Sequence, residues 1–313
     1  KSLLEGTEND RLEVPAFYNR SSCPALPIYA GVSKMGEAPY GLKKQNQDAM
    51  LVVEHAGTRS VLLCVFDGHG EEGHRVSQFM RQRFADTLFD HPSFESDVRV
   101  AMAETVELLE RELLEGSGID CRLSGSTAVL ALLRGRTLTV GNVGDSRIVL
   151  ASSQRVQTRG GRPRVTVVAE DVSKDHKPDL PSERARIEQH GGRVFALDYG
   201  DDEDGPARVW LADAELPGLA MSRSVGDTVA KLAGVISEPE FFERELVPSD
   251  KFLVLATDGL WEFMTSQEVV EIVHKSSGPS HALTTLLQES KERWMEHEPV
   301  TDDTTIIIAA LRI

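Results

Sequence analysis

Cysteine is scarce: Cys23, Cys64 and Cys121 are the only three among 313 residues. Odd in number, widely spaced and without a CxxC pair, they indicate neither a disulfide framework nor a thiolate zinc site. The nine histidines include no HExxH, so the helical zinc-hydrolase pattern is missing. No apolar run approaches the roughly 20 residues of a membrane span, and the N-terminal region lacks the apolar centre of a signal peptide. Basic residues are also in short supply, with Lys+Arg 34 against Asp+Glu 50 and a formal charge of −16. Nucleic acids and anionic membranes reward a basic face, so neither is expected as a partner. A carboxylate excess suits a protein that concentrates cations. There is no internal repeat or low-complexity tract. A reducing, cytoplasmic or nuclear setting is the expectation, and the start at Lys1 leaves an upstream targeting or lipidated segment open. Asn19-Arg20-Ser21 fits a glycosylation sequon, but such triplets arise by chance and nothing else indicates secretion.

The length allows one large domain or two ordinary ones. Residues 1–27, with Pro15, Pro24 and Pro27 and several charges, read as a lead-in arm, and a single domain is expected over 28–313. Short Val, Ile and Leu runs recur at 49–53, 61–66, 127–133, 137–140, 147–151, 165–169, 252–257 and 305–311, as in an antiparallel sandwich. Val76, Phe79, Met80, Phe84 and Leu88 follow helical spacing, and Val98, Met102, Thr105, Leu108 and Leu109 do so less cleanly. Later, Val269, Val270 and Val273 follow Ser266 and Glu268, and Leu283, Leu286, Leu287, Ser290 and Trp294 mark a long stripe. Consecutive helix pairs between runs of strands indicate an α+β fold rather than βαβ alternation. Residues 179–227 are a loop-rich excursion, with Gly191-Gly192, the acidic Asp201-Asp202-Glu203-Asp204, Pro206 and Pro217.

Within this frame, three aspartates sit where apolar runs stop. Asp67 follows Val61 to Phe66, Asp258 follows Phe252 to Thr257, and Asp302 precedes Thr304 to Ala309. Carboxylates at strand ends cost desolvation and repel one another unless a cation shares them. Their convergence at one mouth of a β core points to hard divalent metals and metal-assisted hydrolysis.

Gly68-His69-Gly70-Glu71-Glu72-Gly73 matches the dinucleotide pattern G-x-G-x-x-G between a strand and a helix. Asp67, Glu71 and Glu72 place negative charge where a pyrophosphate would lie, and no repeated βαβ units follow, so this assignment is rejected. Asp67 is instead read as a metal ligand, with His69 beside it as a proton donor. Gly141-Asn142-Val143-Gly144-Asp145-Ser146-Arg147 is a good hairpin turn on its own, which Asp145 could simply cap. Ser124-Gly125-Ser126-Thr127 is equally open to a plain structural role.

Taken together with Lys43-Lys44-Gln45-Asn46-Gln47-Asp48-Ala49, Asp175-His176-Lys177-Pro178, Leu219 to Asp227, Ala256-Thr257-Asp258-Gly259-Leu260-Trp261 and Asp302-Asp303-Thr304-Thr305, these blocks resemble the metal-dependent protein serine/threonine phosphatases of the type 2C or PPM family. They occur in that family's order and cover the chain from about Ile28 to Ile313. The resemblance implies a four-layer α-β-β-α sandwich, with a binuclear Mn2+ or Mg2+ centre at one edge of its sheets and a flap over about 179–227. It implies that Asp67 bridges the ions, that the Gly68 carbonyl ligates one of them, and that Asp258 and Asp302 complete the other. Asp48 would hold metal-bound waters, and Asp145 with Asp258 a weaker third metal. Ions about 4 Å apart would make hydroxide available near neutral pH for in-line attack on phosphorus. His69 would then protonate the departing serine or threonine oxygen. The implied partners are phosphorylated proteins, selected at the rim by the flap.

The sequence departs from the commonest family pattern at several positions. Lys43 stands where many members have a phosphate-clamping arginine, giving a point charge instead of a bidentate fork. Gln47 replaces a frequent glutamate, Asp303 a usual asparagine and Glu262 a usual aspartate. The first trims a charge from the outer shell, the second adds one, and the third lengthens a side chain near the third-metal region. No core ligand is lost, which favours an active enzyme over the alternative, a catalytically silent phosphatase-like scaffold.

Overall fold

The computed structural model describes residues 14–20, 23, 25–26, 28–38, 45–156, 164–197 and 205–313. Lys43, most of the lead-in arm and the acidic run 201–204 lie outside them. The first strands are β1 Val14–Arg20, β2 Ile28–Lys34, β3 Asp48–His55 and β4 Ser60–His69, followed by helices α1 Gly73–Phe89 and α2 Val98–Gly116. Next come β5 Gly125–Ser126, β6 Ala128–Arg134, β7 Thr137–Val143, β8 Arg147–Val156 and β9 Arg164–Asp171. The excursion holds α3 Pro181–Gln189, β10 Arg193–Phe195, β11 Arg208–Trp210, β12 Pro217–Leu219 and β13 Val225–Gly226. The chain ends with α4 Thr228–Lys231, β14 Glu240–Glu245, β15 Asp250–Ala256, α5 Asp258–Trp261, α6 Ser266–Lys275, α7 Pro279–His297 and β16 Thr304–Ala310.

One sheet has six strands in the order β1-β2-β16-β15-β8-β9; another has seven, β13-β5-β4-β6-β7-β14 with β3 also on β4. Neighbouring strands within both are antiparallel. Residues 14–20, expected within the lead-in arm, add the edge strand β1.

Side-chain alternation assigns the layers. Val61, Leu63 and Val65 of β4 share one buried cluster with Leu253, Leu255 and Ile307 of the other sheet, so the two sheets face each other there. The intervening Leu62, Cys64 and Phe66 point the opposite way, onto Met80 and Phe84 of α1 and Met102 and Leu109 of α2. On the far side, Val254, Ala256, Ile306 and Ile308 meet Val269 and Val270 of α6 and Leu283 and Leu286 of α7. Strands apolar on both faces follow from this arrangement, because each is covered on both sides. Each such fully buried leucine or phenylalanine contributes roughly 1.5–3 kcal/mol. Asp97 caps α2 by accepting from the Arg99 and Val100 amides, and Thr265 with Glu268 forms a capping box at α6.

One local expectation is corrected. The turn from Gly141 to Arg147 has hairpin chemistry, yet β7 and β8 belong to different sheets. The turn carries the chain across the sandwich edge, which places Asp145 there rather than in a peripheral loop. Residues 179–227 carry α3 and a small sheet, β10-β11-β12, over a separate cluster that includes Ile187, Val194, Val209 and Val235. Trp210 and Trp261 are buried.

Candidate active site

The antiparallel register of β3 and β4 sets Asp48 directly opposite Asp67. Like charges facing each other across a strand pair are destabilising. Burial pushes the Asp67 carboxyl well above the usual carboxylate range, and the charges of Asp258, Asp48, Asp302 and Asp145 push it further. Burial likewise raises Asp48, with Asp303 and Asp302 adding to it against hydrogen bonds from Thr305 and Thr257. Asp258, at the start of α5, is pushed up to about 7 by burial, then by Asp145 and Asp302. Its carboxyl also lies within hydrogen-bonding reach of Asp67.

The structure therefore brings Asp48, Asp67, Asp145, Asp258 and Asp302 into one field of mutual repulsion. Such a field is relieved either by protons or by cations. Asp145 supplies a further sign: it is 2% exposed, and its Oδ1 has no hydrogen-bond partner. Among the described residues, no three carboxylate, imidazole or thiolate groups already form a closed metal cage. Hard ions such as Mg2+ retain several waters and take only one or two carboxylates each, so this donor set fits them without such a cage.

Backbone contacts fix the aspartates. The Asp67 amide donates to Thr127 Oγ1 at 2.9 Å, and that hydroxyl lies 2.7 Å from Ser146 Oγ, tying β4 to the Asp145 turn. Gly68 is wedged so tightly that a Cβ would come within 2.3 Å of the Gly73 carbonyl oxygen and 2.6 Å of that of Gln47. Gly70 has φ +83°, a conformation that side chains disfavour. Thr257 Oγ1 donates to Asp48 Oδ2 at 2.9 Å.

His69 Nε2 lies 2.6 Å from Asp227 Oδ2, with side-chain exposures of 23% and 2%. Burial alone would lower the histidine pKa, but the charge and hydrogen bond of Asp227, backed by Asp145 and Asp258, leave it raised. The charged form of the ring is thereby favoured beside the acidic cluster.

Some contributors were given no role from the sequence, and others a different one. Asp227 belongs to a recognisable block, but its pairing with His69 depends on distant segments meeting. Lys177 Nζ lies 2.7 Å from Asp145 Oδ2, an internal counter-charge for that carboxylate. Asp303, expected to add charge near the metals, works mainly as a clamp: its Oδ1 accepts from the Gly36 amide and its Oδ2 from the Gln47 amide, both at 2.7 Å. Its charge is nevertheless felt at Asp48. Gln47 has a reason to be an amide, since its Nε2 donates to the Gly70 carbonyl at 2.6 Å, which a glutamate could not do. Glu262 lies close enough to Lys177 to raise its pKa, behind Asp145 and Asp258.

The family model described as "Protein phosphatase 2C" matches residues 35–298. "Probable protein phosphatase 2C 64" of Oryza sativa subsp. japonica is 40% identical over 279 residues, covering 85% of this chain and 62% of that protein. "Probable protein phosphatase 2C 35" of Arabidopsis thaliana is 35% identical over 302 residues, covering 91% and 84%. The chain thus spans less than two thirds of the rice relative's length. Among solved structures, the serine-threonine phosphatase 2C from Toxoplasma gondii superposes with a TM-score of 0.76 at 22% identity, covering 95% of this chain and 99% of that one. At that identity the likeness concerns the fold.

Proposed function

This chain belongs to the protein phosphatase 2C family, which is metal-dependent, and on that premise we propose that it hydrolyses phosphoserine and phosphothreonine in proteins. The observation that carries the proposal is the set of mutually repelling aspartates beside the His69–Asp227 pair. Asp67, the Gly68 carbonyl, Asp258 and Asp302 would hold two Mn2+ or Mg2+ ions, with Asp48 supporting them from the outer shell. Asp145 and Asp258 would hold a weaker third ion. Bound there, the ions supply a nucleophile at neutral pH and offset the phosphate charge.

The chain's own residues do the rest. His69, whose charged form Asp227 favours, donates its proton to the departing serine or threonine oxygen. Lys43, assigned on the resemblance alone, attracts the substrate phosphate as a point charge. Thr127, Ser146 and Asp303 hold the acidic segments in register while the carboxylates gather cations.

The test is phosphate release from a phosphothreonine peptide with Mn2+ or Mg2+, with and without chelator, for the wild type and Asp258→Asn. Metal-dependent release lost in the variant is expected. A folded wild type that binds metal and releases no phosphate would overturn the proposal in favour of a silent scaffold.

A further inference from the structure

Beside the candidate active site runs a groove of about 590 Å³, bordered by Glu71, Glu72, Leu123, Leu216 and Val229. Its position is set by the same backbone that places His69. Gly125 pairs with His69 across β4 and β5, the Glu72 amide donates to Ser124 Oγ at 3.0 Å, and a Cβ on Gly70 would collide with the Leu123 carbonyl. Leu123 therefore stands immediately behind the histidine loop. Leu216 enters from the excursion and Val229 from α4, whose Val229 amide donates to the Arg122 carbonyl.

Two features separate this groove from ordinary surface. A single exposed leucine needs no explanation, but Leu123 and Leu216 are 47% and 46% exposed and converge from distant segments on one concave wall. The acids at its rim are unequal. Glu72 is paired with Arg75 and Asp120 with Arg122, whereas Glu71 makes no ion pair or side-chain hydrogen bond among the described residues. The groove thus offers an apolar wall and one uncompensated carboxylate near the reacting centre, in a chain of net charge −16.

We infer that this groove is a substrate-selecting subsite. It takes a leucine-like or aromatic side chain that flanks the phosphoresidue, and Glu71 favours a lysine or arginine nearby. The occupant is the polypeptide of the phosphoprotein substrate. The inference rests on the phosphatase proposal and deepens it by naming the sequence class the site accepts. The groove walls do not reach the reacting atoms, so their contribution belongs in KM rather than kcat.

The experiment uses the full chain with Mn2+. Phosphothreonine peptides carry one leucine, or in a second series one lysine, moved through each flanking position of an otherwise Ala/Gly sequence, and p-nitrophenyl phosphate serves as a substrate without flanking residues. The wild type should favour one leucine position by about tenfold in kcat/KM, through KM. Leu123→Ser and Leu216→Ser should erase that preference and leave p-nitrophenyl phosphate turnover unchanged. Glu71→Gln should reduce a lysine preference by roughly threefold.

Equal rates for every peptide, or a preference that survives both leucine variants while p-nitrophenyl phosphate is still hydrolysed, would overturn the subsite. Fluorescence anisotropy with the same peptides separates the two proposals. Leucine-dependent binding, lost in the variants, without turnover of any substrate sinks the phosphatase proposal and keeps the subsite. Absence of leucine-dependent binding sinks the subsite whatever the turnover.

Discussion

Asp227 places Oδ2 at 2.6 Å from His69 Nε2, while its backbone lies far along the chain, just before α4. The carboxylate is almost wholly buried, so its charge acts on the imidazole with little solvent screening. Asp227→Asn should lower kcat on phosphothreonine peptides about 100-fold, since a general acid contributes on that scale. The loss should be smaller on p-nitrophenyl phosphate, whose leaving group needs little protonation. With the partner charge gone the histidine pKa falls, so the alkaline limb of the pH–rate profile should move to lower pH. Equal losses on both substrates with an unshifted limb would remove His69 as proton donor.

On the proposed metal site, the repelling aspartates should make the metal-free protein sensitive to cations. Saturating Mn2+ at about 100 times its Kd should stabilise the wild type by roughly 2.7 kcal/mol, read as a rise in thermal midpoint. Asp258→Asn relieves burial of a charge and its repulsion by Asp145 and Asp302. Its metal-free form should therefore melt higher than the wild type while gaining little from Mn2+. A variant that melts lower without metal and responds fully to it would contradict a cation site at Asp258.

How far this organisation was legible follows from which signals are local. Apolar runs announced β4, β6, β8, β15 and β16 because these are covered on both faces, whereas the buried β2 was not read; Asp67, Asp258 and Asp302 were conspicuous as charges at strand ends. Strand β14 was not read: Glu240, Glu243, Arg244 and Glu245 dominate it, as suits an edge strand whose outer side meets water. The turn at Gly144 and Asp145 was read as a hairpin because turn chemistry fixes a reversal, not the sheet that the next strand joins. Asp303 was taken as extra charge for the metals, since nothing local shows that amides at Gly36 and Gln47 converge on it.

That clamp can be tested directly. Asp303→Asn keeps one acceptor and turns an N–H donor toward a backbone N–H. Losing one charge-assisted hydrogen bond should cost about 2 kcal/mol of stability. Denaturant unfolding should show the loss, and Asp303→Ala, which removes both bonds, should lose more. If both variants unfold like the wild type, Asp303 does not hold the Gly36 and Gln47 loops together.

His176 gives the fold a pH dependence of its own. Its side chain is 1% exposed, and Nδ1 accepts the Gly144 amide at 3.1 Å, which leaves the proton on Nε2, facing Glu240 at 3.3 Å. Burial, followed by the charge of Arg223, lowers its pKa from 6.5 to about 4, against the opposing charges of Glu183 and Glu240. The unfolded chain therefore binds this proton at higher pH than the folded one. Stability is fully present above about 6.5 and is lost as pH falls toward 4, by about 3 kcal/mol in total from this group. Charging the ring also costs the Gly144 bond, which carries the turn that holds Asp145. His176→Gln should lower stability at pH 7.5 yet flatten the fall between pH 6.5 and 4. A variant whose stability drops as steeply as the wild type over that window would show that another group carries the acid sensitivity.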